Sequence, residues 1–166
     1  MNRGRTAPDD QFPNVPLLTQ DGTRMLFYDD LIKGRVVTIN FFFTTCKTFC
    51  PRATQNLLKV EKAFGVRLGR DVRMISITVD PEKDTPAVLK DYSRRHGTGE
   101  GWYFVTGSQK DIDRLRLHLG VNRYNNEKAD HTGLLVYGNE ATKQWAATPV
   151  LADPDTIVES VVRMVR

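Results

Sequence analysis

Hydrophobic and polar positions along the chain switch between a strand-like and a helix-like period, and the switches mark out its elements. Val15–Leu18 and Arg24–Phe27 flank the segment TQDG, whose Asp21-Gly22 pair predicts a hairpin turn. RVVTINFFF, 35–43, is continuously apolar and rich in β-formers, which predicts a strand buried on both faces. Ala53, Leu57, Val60 and Phe64 then recur at helical spacing, with Gly65 placed to stop the helix. DVRMISITV, 71–79, predicts a second buried strand closed by Asp80-Pro81, and Thr85-Pro86 supplies an N-cap followed by proline at the first helical position. That helix runs to RRHG, with basic residues in its last turn and Gly97 to end it.

A short strand around Trp102–Val105 follows, then a helix with Ile112, Leu115 and Leu119 on one face. GLLVYG and QWAAT predict an antiparallel pair joined through 139–143. A last helix from Pro154 carries Ile157, Val158, Val161, Val162 and Val165 at amphipathic spacing. Strands alternating with helices, two late strands and a closing helix predict an α/β fold. Its centre is a mixed sheet with helices on both faces, preceded by an N-terminal β-hairpin. The polar, proline-containing start, 1–11, reads as a flexible lead-in, and 12–166 as one domain.

Composition narrows the function class. The chain has 166 residues, a net charge of +4 and 27% charged residues, with Lys and Arg interleaved among Asp and Glu. No basic run with interleaved aromatics appears, which sets nucleic-acid binding aside. No apolar run reaches membrane-spanning length, so any tether is expected outside this chain.

The chemistry concentrates in FFFTTCKTFCPR, which holds the two cysteines of the chain, Cys46 and Cys50. Pro51 has no amide proton and suits only the first turn of a helix, so the helix is expected to start near 49–51. Cys50 then lies at a helix N-terminus and Cys46 in the loop before it, just beyond the carboxyl end of the most apolar strand, where α/β sheets collect their sites. The helix dipole and Lys47 favour thiolates. A crosslink closing so short a loop would stabilise the fold little. A peroxidase pattern would require threonine three residues before the attacking cysteine, but Phe43 and Lys47 occupy those positions. A thioredoxin-type oxidoreductase would have two residues between its cysteines and a cis-proline facing them. Here three residues intervene, and near the proline's place stands His131 in KADHTG.

Two thiolates and an imidazole from separate loops suit Cu(I), and with one more ligand from water or backbone they could hold Cu(II). Structural zinc would want a fourth protein ligand. His96, in the last turn of a helix, is read as a dipole-stabilised cation, and His118 as a helix-flank residue. Asp130 is placed to orient His131 through a hydrogen bond.

These residues resemble the Sco/SenC family of thioredoxin-fold copper proteins. TTCKTFCP is similar to the family's cysteine motif, ITVDPEKDTPAVLKDY to its Val-Asp-Pro-Glu segment and following helix, WYFVTGS to a strand-to-turn segment, and ADHTGLLVY to its Asp-His motif. The resemblance runs from about Phe12 to the C-terminus. It implies a thioredoxin-like domain that binds copper through Cys46, Cys50 and His131. It also implies delivery of copper to a cytochrome c oxidase subunit or another copper enzyme, with dithiol/disulfide cycling of the Cys46–Cys50 pair. The implied protein is a monomer in the periplasm or tethered to face it. A second reading is a thiol–disulfide reductase that keeps the cysteines of a copper site reduced, for which His131 would be dispensable. A third is an interaction module without copper or redox chemistry. The chain departs from the family at Lys47-Thr48-Phe49, where Pro-Asp-Val or a close relative is common.

Overall fold

Seven consecutive buried residues, Val36–Phe42, form strand β3 at the heart of the sheet. The structure is a computed structural model that describes residues 12–46, 49–119 and 133–165, with Phe49 and Cys50 described in backbone only. The other elements are β1 (Pro16–Thr19), β2 (Arg24–Leu26), α1 (Phe49–Phe64), β4 (Val72–Thr78), α2 (Pro86–His96), β5 (Trp102–Thr106), α3 (Gln109–His118), β6 (Leu134–Asn139), β7 (Gln144–Pro149) and α4 (Pro154–Val162). The strands make one sheet in the order β2-β1-β5-β4-β3-β6-β7. β3, β4 and β5 are parallel, and both flanks pair antiparallel to them. The expected mixed sheet, the N-terminal hairpin and the closing β6–β7 hairpin are all present.

Alternation along each strand divides the apolar side chains between two layers. On one face Phe42, Met74, Trp102 and Phe104 pack with Leu57, Val60 and Phe64 of α1, Leu89 and Tyr92 of α2, and Ile157 and Val161 of α4. On the other, Val37, Ile39, Phe41, Ile75, Ile77 and Val105 meet Ile112 and Leu115 of α3 together with Phe27, Leu31 and Ile32. Helical structure therefore covers both faces.

The last of these segments differs from the sequence expectation. Phe27–Ile32 is a single π-helical turn, whereas Phe27 reads as the end of a strand. Its four apolar residues Phe27, Tyr28, Leu31 and Ile32 are all buried, and Asp29 and Asp30 face outward. Six residues are too few to display a helical period, and that is why the pattern did not reveal the turn.

The helix boundaries follow their local chemistry. Thr85 accepts a hydrogen bond from the Val88 amide at 3.3 Å with Pro86 behind it, and Gly97 closes α2 with φ of 73°. A polar chain crosses the sheet under α1 and α2. Trp102 Nε1 donates to Ser76 Oγ at 3.0 Å, which donates to Asn40 Oδ1 at 2.6 Å. All three residues are buried, so each bond satisfies a group that water does not reach.

Candidate metal and thiol site

The site begins where β3 stops. Phe43 packs into both apolar layers, and the chain turns through Thr44 and Thr45 so that the Cys46 amide donates to the Phe43 carbonyl at 3.2 Å. Cys46 is half-buried and packs against the layer that contains Ala53 and Leu57 of α1. Helix α1 starts at Phe49, so Cys50 is its second residue and Pro51 its third, in agreement with the expected boundary. The first turn contains no acidic residue, and Arg52 is exposed within it. The positive end of the dipole therefore acts on this turn, which carries no carboxylate of its own.

What fixes the cysteine loop is a buried carboxylate that the sequence reading did not single out. Asp84 has no exposed surface. Its Oδ2 accepts from the Thr44 amide at 3.0 Å and from Thr78 Oγ1 at 2.6 Å, while its Oδ1 accepts from Thr44 Oγ1. The Asp84 amide donates to the Asp80 carbonyl at 2.9 Å, and the Asp80 amide donates to Thr78 Oγ1 at 3.0 Å. The segment after β4 is thereby folded over the end of the sheet, and its carboxylate grips the residue two positions before Cys46. The parallel pair β3–β4 continues into this corner through the Val79 amide, which donates to the Phe42 carbonyl at 2.8 Å. The signal available in the sequence was a second aspartate, four residues after Asp80, in a loop that has to return to a helix N-cap.

The sheet register brings a third segment to the same edge. Leu135 of β6 pairs with Asn40 of β3, so the start of β6 lies beside the end of β3. Gly133, just before β6, accepts from the Val150 amide at 3.0 Å. His131 and Asp130 fall outside the described residues, as do Lys47 and Thr48. Of the three sequence-read ligands, Cys46 is described in full and Cys50 in its helical backbone.

The two other histidines stand apart from this edge. His118 Nδ1 is 3.0 Å from the Arg114 carbonyl on the flank of α3, as expected. His96 corrects its reading as a dipole-stabilised cation. Its ring lies 4.4 Å from that of Tyr92, and burial first, then the adjacent Arg95, push its pKa below the usual histidine value.

Comparison with known proteins now bears on this geometry. The family model for SCO1/SenC matches residues 9–166. The chain belongs to the SCO1/SenC family. A SCO1 protein homolog of Bacillus subtilis is 36% identical over 100 residues, which cover 59% of this chain and 50% of that protein. The chain spans about half the length of the curated relatives it matches. Among solved structures, yeast Sco1 with copper bound superposes with a TM-score of 0.71 at 23% identity, over 89% of this chain and 87% of that one. BsSco, described as a member of the Sco family of cytochrome c oxidase assembly proteins with a disulfide switch, gives 0.72 at 26% identity over 90% of each chain. The thioredoxin-like fold read from the sequence is thus the fold of the family.

Proposed function

We propose that the protein is a copper metallochaperone, folded as one domain over 12–166, that takes up Cu(I) with Cys46, Cys50 and His131. On this reading it passes copper to a partner's copper site, such as that of an oxidase subunit. The observation that carries the reading is the convergence on one sheet edge of the Cys46 loop, the N-terminus of α1 with Cys50, and the start of β6. Soft thiolates with an imidazole match Cu(I) better than a hard cation, and both cysteines sit where thiolate is favoured over thiol. Copper-bound yeast Sco1 and the oxidase-assembly description of BsSco support the cargo and the class of acceptor. The setting that suits such an acceptor is the periplasmic side of a membrane, with the domain acting as a monomer.

Within this scheme Asp84 acts as a positioning residue. By holding the Thr44 amide and hydroxyl it fixes the turn that delivers Cys46, so the first ligand is placed before cargo arrives. Half-burial of Cys46 against the α1 layer limits the directions from which a partner thiol can approach. Transfer proceeds by ligand exchange, with each departing thiolate replaced by one from the acceptor.

The second reading, a thiol–disulfide reductase, is favoured by one observation: the first turn of α1, in which Cys50 is the second residue, contains no acidic residue. In that reaction one thiolate attacks a partner disulfide and expels one partner thiolate, and the second cysteine resolves the mixed disulfide. The partner gains two electrons and this chain becomes the disulfide. The disulfide switch described for BsSco bears on the same chemistry.

Anaerobic competition titration of Cu(I) against a chromophoric chelator separates the two readings. The reduced wild type is expected to hold one Cu(I), Cys46→Ala and Cys50→Ala to lose it, and His131→Ala to bind more weakly. If the reduced wild type yields its copper to a weak chelator, the copper reading fails. Retained disulfide reduction in His131→Ala would then favour the reductase.

A further inference from the structure

The end of the sheet opposite Cys46, where β3 and β4 begin, gathers cations that copper handling does not use. A cleft of about 270 Å³ opens there, lined by Arg35, Arg70 and Arg73 together with Asp71 and Asn139. Lys33 and Arg35 are exposed where the chain rises into β3, and Arg67 is exposed on the 3₁₀ turn Gly65–Arg67 that follows α1. Lys143 is exposed on the β6–β7 turn. The carboxylates nearby are largely committed. Glu140 is buried and accepts from Tyr28 Oη at 2.6 Å, from the Gly34 amide at 2.7 Å and from Lys143. Asp71 pairs with Arg70 at 3.3 Å, and Asp30 accepts from the Leu26 amide at 2.8 Å. Among the described residues this end therefore turns Lys33, Arg35, Arg67 and Arg70 to solvent, while Arg73 is held by the Asp30 and Leu31 carbonyls and over the Tyr103 ring, and the exposed carboxylates of Asp29 and Glu100 stand at its margin.

An apolar tip stands in the midst of this charge. Val66 is 79% exposed on the Gly65–Arg67 turn, and it belongs to neither apolar layer of the core. None of the residues lining the cleft is aromatic, so the cleft itself offers no platform on which a nucleic-acid base could stack.

We propose that this end of the domain rests on an anionic lipid bilayer. Arg35, Arg67 and Arg70 meet the phosphodiester headgroups, and Val66 reaches into the interface. The edge carrying Cys46 then faces away from the membrane, open to a partner. The proposal does not depend on copper: Cys46→Ala and Cys50→Ala bind vesicles as the wild type does.

Sedimentation of the full chain with phosphatidylcholine vesicles, with and without phosphatidylglycerol, tests it. The anionic vesicles are expected to bind about tenfold more protein at low salt, with the difference collapsing as salt screens the charges. The triple variant Arg35→Glu/Arg67→Glu/Arg70→Glu loses that binding. Lys59→Glu/Lys90→Glu/Lys110→Glu, which changes net charge equally on the α1, α2 and α3 surfaces, keeps most of it. Val66→Asp weakens binding without touching a cation, and guards against misfolding of the triple variant. Equal binding to both vesicle types, or equal loss in the two triple variants, overturns the proposal. Displacement by millimolar inorganic phosphate also overturns it, because the cleft would then be a small-anion site.

Discussion

At the scale of single residues, Asp84 decides how firmly Cys46 is held. Its carboxylate receives two bonds from Thr44 and one from Thr78 in a place that water does not reach. Removing it leaves three donors unsatisfied, whereas removing only the Thr44 hydroxyl leaves the amide bond intact. Asp84→Ala is therefore expected to destabilise the fold by about 3 kcal/mol or more, and Thr44→Val by about 1 kcal/mol. Denaturant unfolding measures both. The alkylation rate of Cys46 in a Cys50→Ala background should rise more in Asp84→Ala than in Thr44→Val. Identical alkylation in all backgrounds would contradict the positioning role. The place of Cys50 at a helix start was legible in the sequence because proline and its spacing are local signals. Asp84 was not, because nothing local distinguishes it from Asp80. Which of the two acids turns inward depends on β3 and β4 lying side by side, and no short stretch of sequence encodes that pairing.

At the scale of elements, Glu140 ties together three pieces of chain with its one carboxylate. It begins the β6–β7 turn and takes bonds from Tyr28 of the π turn, from Gly34 ahead of β3 and from Lys143 across its own turn. Burial alone would raise its pKa. The hydrogen bonds from Lys143, Tyr28 and Gly34, with the Lys143 charge, outweigh burial and bring it below 4.5. A carboxylate with a depressed folded pKa stabilises fully above its unfolded value, and that stability is lost as pH falls through the folded one. Wild-type stability should thus drop as pH falls through and below the ordinary glutamate range, and part of that drop should vanish in Glu140→Gln, at a constant loss near neutrality. Denaturation midpoints across that range test the sign. An acid limb as steep in Glu140→Gln as in wild type would refute it. Most elements could be read from periodicity to within a residue or two, β3 and α1 most clearly. The π turn could not, because its side chains are sorted by the sheet they cover and its six residues show no period of their own.

At the scale of the whole molecule, alternating strands and helices were enough to foresee a mixed sheet covered on both faces and closed by a late antiparallel pair. The strand order was not foreseeable. An N-terminal hairpin can add to any open edge, and here Gln20 selects β5. Its Nε2 donates to the Trp102 carbonyl at 3.1 Å, and its Oε1 accepts from the Phe104 amide at 3.0 Å. The same long-range pairing, β6 against β3, brings the start of β6 to the cysteine edge. On the proposed function, that convergence produces one three-coordinate site for Cu(I). Copper K-edge X-ray absorption of the reduced, Cu(I)-loaded protein tests it most directly. Two sulfur scatterers and one nitrogen are predicted, with the nitrogen lost in His131→Ala. A first shell without nitrogen, or a spectrum unchanged by His131→Ala, would contradict the assignment.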